Sequence, residues 1–365
     1  SSVAVIGLGL IGSSFAAMYR NAYPDARLVG IDVSGDAVKA AQERGWIDEG
    51  HVSSEDLGSV LCGCELVMIA TPVPVANEYF RIIAACDFKG VVTDACSTKK
   101  IVSRQAQELL RYPEKYIPGH PMAGSEKNGF ANSKAHLIEN AYYILTPSAK
   151  VSEEKINAYR NFVSSLKALP IVLDYRQHDC ITGTISHLPH IIASTLVNFV
   201  RDTDTKEELM KALAAGGFKD ITRIASSSPV MWQQICLKNG KNISHILGQY
   251  IEALIQAKLS IDTEDENALY TLFESSRDYR NSMPNTSAGP IKKQFAVYCD
   301  IIDETGGIAT IATILASNNI SIKNIGIIHN REFEEGVLRI EFYDESSSSK
   351  ASALLKKYRY IVYEV

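Results

Sequence analysis

Short apolar segments alternate with amphipathic segments over the first 150 residues of the chain. Five apolar runs have the length and bounds of buried strands: 3–6, 28–31, 66–69, 91–92 and 142–145. Between them, a helical periodicity over 36–44 and 100–110 predicts amphipathic helices. Because strands that alternate with helices form βαβ units, the pattern predicts an α/β domain with a mostly parallel sheet over residues 1–150.

Residues 151–282 have a different pattern, with long helical periodicity and few strand signals. The periodic stretches cover 190–200, 206–215, 245–261 and 264–279. They predict an all-helical domain. Its apolar faces are wider than packing on one sheet requires, and this favours a two-fold homodimer formed through this region.

A segment rich in turn-forming residues, 283–293, is predicted to be a linker. The chain after it, 294–365, contains two groups of three segments, each in strand–helix–strand order. The predicted strands are 294–301, 320–329, 337–343 and 360–365, and the predicted helices are 307–318 and 349–357. Because the second group reads strand–helix–strand as well, the whole predicts the βαββαβ order of a ferredoxin-like domain.

The composition, 46% hydrophobic and 22% charged, is that of an ordinary globular protein. The net charge of −5 includes no block of like charge, so neither a nucleic-acid nor a membrane-surface partner is predicted. No apolar run has the roughly 18 residues expected of a transmembrane helix. Seven cysteines without C-x-x-C spacing predict reduced thiols in a cytoplasmic protein.

A glycine motif directly follows the first predicted strand. Gly7, Gly9 and Gly12 have the G-x-G-x-x-G spacing that permits a tight turn, backbone approach to a diphosphate and close packing of helix on strand. The diphosphate would lie at the start of the next helix, at Leu10 and Ile11, where free N–H groups and the helix dipole favour an anion. The motif predicts a Rossmann-type dinucleotide-binding domain.

An acidic residue ends the second predicted strand. Asp32 follows Gly12 by 20 residues, where a carboxylate is able to hold ribose hydroxyls and to repel the additional phosphate of NADP. The predicted cofactor is therefore NAD. Thr71 and Pro72 end another strand at the sheet edge that faces such a cofactor, although a plain strand-to-helix turn explains them equally well.

Three polar segments carry side chains suited to acid–base chemistry. Ser97 follows a predicted strand, and His120 lies between a glycine and a proline on a rigid loop. His187 and His190 share one face at the predicted start of a long helix, with Pro189 in its first turn. Histidine accepts a proton from a hydroxyl near neutral pH. The remaining histidines are predicted to be structural: His51, His136, His178, His245 and His329.

Arg223 lies in a largely apolar stretch, where a guanidinium is able to hold a carboxylate through two hydrogen bonds. A salt bridge on a helix surface explains this arginine equally well. No metal site is predicted, because the candidate histidines lie in separate segments without H-E-x-x-H spacing or cysteine partners.

Together these motifs resemble the prephenate and arogenate dehydrogenase family over essentially the whole chain. The specific runs are Gly-His-Pro-Met-Ala-Gly-Ser-Glu at 119–126 and Ser-His-Leu-Pro-His at 186–190, supported by 94–99, 218–225 and 229–232. The resemblance implies NAD-dependent oxidative decarboxylation of prephenate to 4-hydroxyphenylpyruvate, a step of tyrosine biosynthesis.

The resemblance also implies roles for individual residues. His120 would accept the proton of the ring hydroxyl, and Ser97 would orient His120 and the nicotinamide. His190 and Arg223 would bind prephenate, with Arg223 on a carboxylate. His187 and Glu126 would line the site.

The segment 294–365 resembles an ACT domain, the small amino-acid-binding module of biosynthetic enzymes. The resemblance implies tyrosine as a feedback effector bound near Gly307 and Asn324. A purely structural or dimerising domain is the alternative.

Three other functions fit parts of the sequence. An arogenate-specific enzyme would differ only in the substrate side chain. A β-hydroxyacid dehydrogenase would need a catalytic lysine on the first long helix of the second domain, where His187 and His190 stand instead. A non-catalytic redox or amino-acid sensor would not need the set formed by His120, Ser97 and Arg223.

Overall fold

The computed structural model describes residues 2–53, 56–124, 129–283, 295–300, 306–328 and 337–363. The chain forms two compact units, Ser1–Gly289 and Pro290–Val365. The predicted linker 283–293 lies, except for its first residue, outside the described residues.

The first unit begins with a five-stranded parallel sheet, as the alternating pattern predicts. Its strands are β1 (Ser2–Ile6), β2 (Arg27–Asp32), β3 (Glu49–Val52), β4 (Leu66–Ile69) and β5 (Val91–Asp94). The helices between and after them are α1 (Leu10–Ala22), α2 (Gly35–Glu43), α3 (Gly58–Cys62), α4 (Val73–Ala85) and α5 (Lys100–Leu109). The strand order β3-β2-β1-β4-β5 reverses between β1 and β4, and a crevice for a ligand opens at the carboxyl ends of strands at such a point.

A second, three-stranded sheet carries one of the candidate catalytic residues. It consists of β6 (Gly119–Pro121), β7 (Tyr142–Leu145) and β8 (Leu169–Val172), with helix α6 (Glu153–Ser165) before β8. β6 runs antiparallel to β7, and β8 runs parallel to it. β8 lies in the region for which the sequence predicts only helices, because its four residues form an apolar run too short to show strand alternation.

The rest of the first unit is helical. Its elements are α7 (Tyr175–Thr182), α8 (Leu188–Thr203), α9 (Leu209–Leu213), α10 (Gly216–Thr222), α11 (Pro229–Lys238), α12 (Gly240–Asp262) and α13 (Glu266–Ser282). A 3-10 turn, Arg223–Ser226, connects α10 to the segment before α11. Several large apolar side chains of α12 and α13 are exposed, including Ile251, Leu254, Ile255, Tyr270 and Phe273.

α7 and α8 form one continuous helical run, so the prediction that a helix starts near Ser186 is wrong. A π-helical turn, Gly183–His187, joins them. Pro189 has no backbone N–H, so it cannot donate the hydrogen bond of a regular helix. The wider π-helical turn accommodates this missing hydrogen bond. The combined run, Tyr175–Thr203, has 29 residues and a mean hydropathy of 1.2, which are sufficient by length and composition alone to cross a membrane.

The second unit has the predicted βαββαβ order. Its elements are β9 (Phe295–Asp300), α14 (Gly307–Ser317), β10 (Ile322–Ile328), β11 (Val337–Phe342), α15 (Glu345–Lys357) and β12 (Val362–Tyr363). They form an antiparallel sheet in the order β10-β11-β9-β12, whose apolar face packs against the helices. Residues 294, 301, 329 and 364–365, at the ends of predicted strands, lie outside the described residues.

α15 begins four residues before its predicted start. The side chain of Asp344 accepts a hydrogen bond from the backbone N–H of Ser347 at 2.8 Å and so caps the helix. An acidic N-cap compensates for the low helix propensity of the serines that follow it.

Candidate active site

A cavity of about 840 Å³ lies in the first unit at the carboxyl ends of β1, β4 and β5. It brings together most of the predicted site residues: Gly9, Leu10, Ile11, Thr71, Pro72, Ser97, His120, His187, His190 and Arg223. Gly7, Gly12 and Asp32 are not part of its lining, and Glu126 lies outside the described residues. Gly307 and Asn324 belong to the second unit, at the start of α14 and on β10.

The glycine loop is shaped as its motif predicts. Gly7 has a φ of +91°, and a Cβ there would lie 2.7 Å from the carbonyl oxygen of Ala70. A Cβ on Gly12 would lie 1.8 Å from the carbonyl oxygen of Gly7. No atom lies within 4 Å of a Cβ built on Gly9. Two glycines are therefore required by the fold, and the third leaves open space in front of the backbone at the start of α1, which fits a dinucleotide.

Asp32 fixes this loop against the end of β2. Its carboxylate accepts hydrogen bonds from the backbone N–H groups of Leu8, at 2.6 Å, and Ser34, at 2.8 Å. A carboxylate oxygen accepts more than one hydrogen bond, so Asp32 retains capacity for ribose hydroxyls beside the loop.

His120, in the middle of β6, belongs to a chain of three side chains. Its Nδ1 lies 2.8 Å from Nε2 of His178, and Nδ1 of His178 lies 2.8 Å from Oδ1 of Asp179. The same carboxylate accepts hydrogen bonds from the backbone N–H groups of Lys99, at 2.7 Å, and Lys100, at 2.9 Å. The chain therefore connects the start of α5, helix α7 and β6.

The charges along this chain determine where its protons lie. Burial raises the pKa of Asp179, but hydrogen bonds from His178, Lys99 and Lys100 outweigh it and lower that pKa overall. The ionised carboxylate accepts the Nδ1 proton of His178, so Nε2 of His178 must accept a proton from Nδ1 of His120. Nε2 of His120 is then left without a proton, as a general base requires.

Burial also keeps the histidines neutral. It lowers the pKa of His120 well below the usual value, and repulsion between a protonated His120 and any positive charge on His178, Lys99 or His187 acts in the same direction. Burial lowers the pKa of His178 as well, although Asp179 partly opposes it. Burial lowers the pKa of His187 to about 4. At neutral pH the rings of His120, His178 and His187 are therefore uncharged, so each is able to accept a proton.

A buried ion pair lies beneath His120. Nζ of Lys99 lies 2.6 Å from Oδ2 of Asp94, and both side chains have an exposed fraction of 0%. The Lys99 ammonium also donates to the carbonyl oxygen of Gly119, the residue before His120. The Tyr116 hydroxyl donates to the other oxygen of Asp94 at 2.8 Å. These bonds hold β6, and with it His120, beside the loop that follows β5.

The opposite wall of the cavity comes from α8 and α11. His190 stacks on Trp232 with ring centroids 3.6 Å apart, and its Nδ1 lies 2.9 Å from the carbonyl oxygen of Ser186. His187 is buried, and its Nδ1 lies 3.1 Å from the side-chain nitrogen of Asn239. That nitrogen also donates to the carbonyl oxygen of Asp179 at 2.7 Å. Both histidines line the cavity.

Two residues of the site were missed by sequence reasoning. His178 was predicted to be structural, but it holds the ring of His120, and Asp179 fixes its proton. The signal was the His-Asp dipeptide at 178–179, which is a weak one. Ser97, predicted to orient His120 and the nicotinamide, lines the cavity, but among the described residues Nδ1 of His120 is bonded to His178 rather than to Ser97.

Comparisons with known proteins show the family to which the chain is similar. Residues 15–172 match the family described as "Prephenate dehydrogenase, nucleotide-binding domain", and residues 174–275 match "Prephenate dehydrogenase, dimerization domain". The chain is 36% identical to a prephenate dehydrogenase of Bacillus subtilis, over 97% of this chain and 95% of that one. It is 34% identical to a prephenate dehydrogenase of Lactococcus lactis, over 97% of each.

A solved structure of an Aquifex aeolicus prephenate dehydrogenase, in complex with hydroxyphenyl propionate and NAD+, is also similar. It is 28% identical, with a TM-score of 0.73, over 78% of this chain and 98% of that chain.

Proposed function

The chain belongs to the prephenate dehydrogenase family, and we propose that it catalyses the NAD-dependent oxidative decarboxylation of prephenate to 4-hydroxyphenylpyruvate. The observation that carries this proposal is the chain from Asp179 through His178 to His120, which leaves an unprotonated ring nitrogen in a cavity that begins at a dinucleotide-binding loop.

The residues of this chain supply a base, orientation and exclusion of water. NAD⁺ held at the glycine loop would supply the hydride acceptor for the carbinol carbon of the substrate. Nε2 of His120 accepts the hydroxyl proton as the carbonyl forms. The electron pair of the bond to the ring carboxylate moves into the ring, this carboxylate leaves as CO₂, and the former carbonyl oxygen, now a phenolate, takes the proton back from His120. Formation of the aromatic ring drives the reaction, so the protein needs to contribute mainly position and a base.

The remaining site residues have proposed roles that follow the resemblance and their place in the cavity. Ser97 lines the same cavity as His120 and would orient His120 and the nicotinamide. His190, Arg223 and His187 would bind prephenate, with Arg223 on a carboxylate. Glu126 would also line the site, and it lies outside the described residues.

The cofactor residues have proposed contacts that the loop geometry supports. Leu10 and Ile11 begin α1, where free N–H groups favour the diphosphate, and Asp32 would hold the adenosine ribose. Thr71 and Pro72 line the cavity between the sheet and α4 and would border the nicotinamide half.

We also propose a function for each region of the chain. Residues 1–150 would bind NAD, 151–282 would bind substrate and form a homodimer, 283–293 would link, and 294–365 would be a regulatory ACT domain. The match of 174–275 to a dimerization domain and the exposed apolar faces of α12 and α13 support the homodimer. The separation of the chain near residue 290 supports the regulatory unit, with tyrosine as its proposed effector.

We place the enzyme in the cytoplasm. All seven cysteines are free thiols, as in a reducing compartment. The long run Tyr175–Thr203 contains Asp179, whose ionised carboxylate accepts hydrogen bonds from His178 and from the backbone N–H of Lys99; this supports a place inside the protein rather than in lipid.

The proposed function is tested by mixing the purified protein with NAD⁺ and prephenate and following the absorbance of NADH. We expect NADH and 4-hydroxyphenylpyruvate in equal amounts, and a His120→Asn variant that still binds NAD⁺ but turns over about 10²–10⁴-fold more slowly. A protein that oxidises arogenate but not prephenate would contradict the assigned substrate. Undiminished turnover in His120→Asn would remove His120 from the mechanism.

A further inference from the structure

We propose that Lys238 binds one of the two carboxylates of the substrate and that Arg223 binds the other. This inference rests on the proposed function. It assigns a role to a residue that neither the motifs nor the resemblance singles out.

Lys238 belongs to the wall of the cavity. Lys238 ends α11, the helix that also carries Trp232, and it lines the same cavity as His120 and Arg223. Its side chain is half-buried, and no ion pair joins it to a described residue. A partly buried ammonium without a partner gains more from a bound anion than a fully solvated one does.

The charges of the described cavity lining match a dianion. Of the described lining residues, only Arg223 and Lys238 are lysine or arginine, and none is aspartate or glutamate. The three histidines of the lining are kept neutral by burial, since it lowers the pKa of His120, His187 and His190. Prephenate carries two carboxylates, and a single guanidinium would leave one of them without a cationic partner.

The chemistry of the substrate separates its charged end from its reacting end. Both carboxylates of prephenate belong to substituents of one ring carbon, opposite the carbon that bears the hydroxyl. If His120 meets the hydroxyl, both carboxylates lie at the other end of the ring. Two cations that line one cavity with His120 fit this requirement, with one cation for each carboxylate.

Lys238 also occupies the last position of a helix, where a cation stabilises the terminal carbonyl groups. Such a role would affect the stability of the fold but not the affinity for one substrate. The experiment therefore needs a measurement that distinguishes an effect on the affinity for one ligand from an effect on the stability of the fold.

We would compare Lys238→Met, Lys238→Arg and Arg223→Ala with a control, Lys241→Met, whose lysine is exposed two residues into α12. KM for prephenate and for NAD⁺ is measured for each variant. The inhibition constant of the product, 4-hydroxyphenylpyruvate, which retains only one carboxylate, is measured as well. Thermal unfolding of each variant checks that the fold is intact.

Loss of a charged hydrogen-bonding partner should raise KM for prephenate about tenfold to a hundredfold in Lys238→Met. KM for NAD⁺ should stay within about twofold, Lys238→Arg should recover most of the affinity, and Lys241→Met should behave as wild type. Because each cation holds a different carboxylate, only one of Lys238→Met and Arg223→Ala should weaken binding of the monocarboxylate product.

Other outcomes overturn the proposal. An unchanged KM for prephenate in Lys238→Met would exclude Lys238 from substrate binding. A raised KM for NAD⁺ alone would assign Lys238 to a phosphate of the cofactor. Equal weakening of prephenate and product in both variants would mean that the two cations do not divide the carboxylates. If the wild-type protein does not oxidise prephenate at all, the proposed function fails before Lys238 is tested.

Discussion

Nε2 of His178 lies 2.8 Å from Nδ1 of His120, and this contact determines which nitrogen of His120 is available as a base. The carboxylate of Asp179 sets the direction of both protons in the chain. A side chain 58 residues away from His120 in sequence thus controls its protonation.

The first prediction concerns His178→Asn. Without the ring of His178, His120 loses its fixed orientation and protonation, and we expect kcat to fall about 10- to 1,000-fold while KM for NAD⁺ changes little. Steady-state kinetics measure both constants. His245→Asn is the control, because His245 is exposed on α12. A variant that loses stability but keeps the kcat of the folded fraction would give His178 a structural role only.

The second prediction concerns pH. The base must be unprotonated, and burial lowers the pKa of His120 well below its usual value. We therefore expect kcat/KM to stay constant as the pH falls from 8 through about 6.5, the ordinary pKa of histidine, and to decline only at more acidic pH. A pH–rate profile measures this decline of kcat/KM on the acidic side. A decline centred at or above pH 6.5 would show that the free-enzyme base is not held neutral by burial.

The third prediction concerns the buried pair of Lys99 and Asp94. Lys99→Met leaves Asp94 as a buried carboxylate without its cation, so we expect a loss of about 3–5 kcal/mol in the free energy of unfolding. Urea denaturation measures this change, with Lys39→Met as the exposed control. The double variant Lys99→Met, Asp94→Asn should recover part of the loss, because no unpaired charge remains. A double variant as unstable as the sum of both single variants would refute this coupling.

The fourth prediction concerns cofactor choice. Asp32→Asn removes the charge that would repel the additional phosphate of NADP, and we expect the ratio of kcat/KM for NAD⁺ over NADP⁺ to fall at least about tenfold. NAD⁺ should also bind more weakly, because Asp32 holds the backbone of Leu8 at 2.6 Å. Asp36→Asn, exposed in the first turn of α2, is the control. An unchanged ratio would rule out contact between Asp32 and the ribose.

The fifth prediction concerns regulation by tyrosine. Gly307 begins α14 directly after Gly306, whose φ of +94° turns the backbone into the helix. Gly307→Val would block approach of a ligand to this backbone. A coupling of about 1–3 kcal/mol would change prephenate affinity about 5- to 150-fold with tyrosine present, and the variant should lose this effect.

Basal turnover of Gly307→Val should match the wild type, and Gly326→Ala, where a Cβ meets no atom within 4 Å, should keep its response to tyrosine. Calorimetry of the full chain measures tyrosine binding directly. Unaltered inhibition of Gly307→Val would indicate that tyrosine competes at the active site instead.

The sequence predicts those parts of the molecule that depend on neighbours in the chain. The glycine loop follows from steric requirements at Gly7 and Gly12, which only the loop itself and the adjacent strand impose. The sequence predicts that Ser97 follows a strand, but it places His120 on a rigid loop, whereas His120 lies in strand β6 of the second sheet. The hydrogen bond between His120 and His178 could not be predicted, because it depends on how α7 packs against β6.

Other differences between the predictions and the structure also depend on contacts that the pattern of the sequence does not show. The serines at 346–349 have low helix propensity, and only the cap made by Asp344 shows why they are helical. Lys238 ends a helix like many surface lysines, and its place in the cavity appears only when α11 is folded against α8.

The π-helical turn at Gly183–His187 changes the angular phase of the long helix. At about 100° per residue, an uninterrupted α-helix would place His178 and His190 about 120° apart around its axis. One additional residue in a wide turn sets the phase back by about 100°, which leaves roughly 20° between them. A helical wheel drawn from the sequence therefore assigns these two histidines to different faces, whereas a π-helical turn between them brings them to nearly the same side of the helix axis.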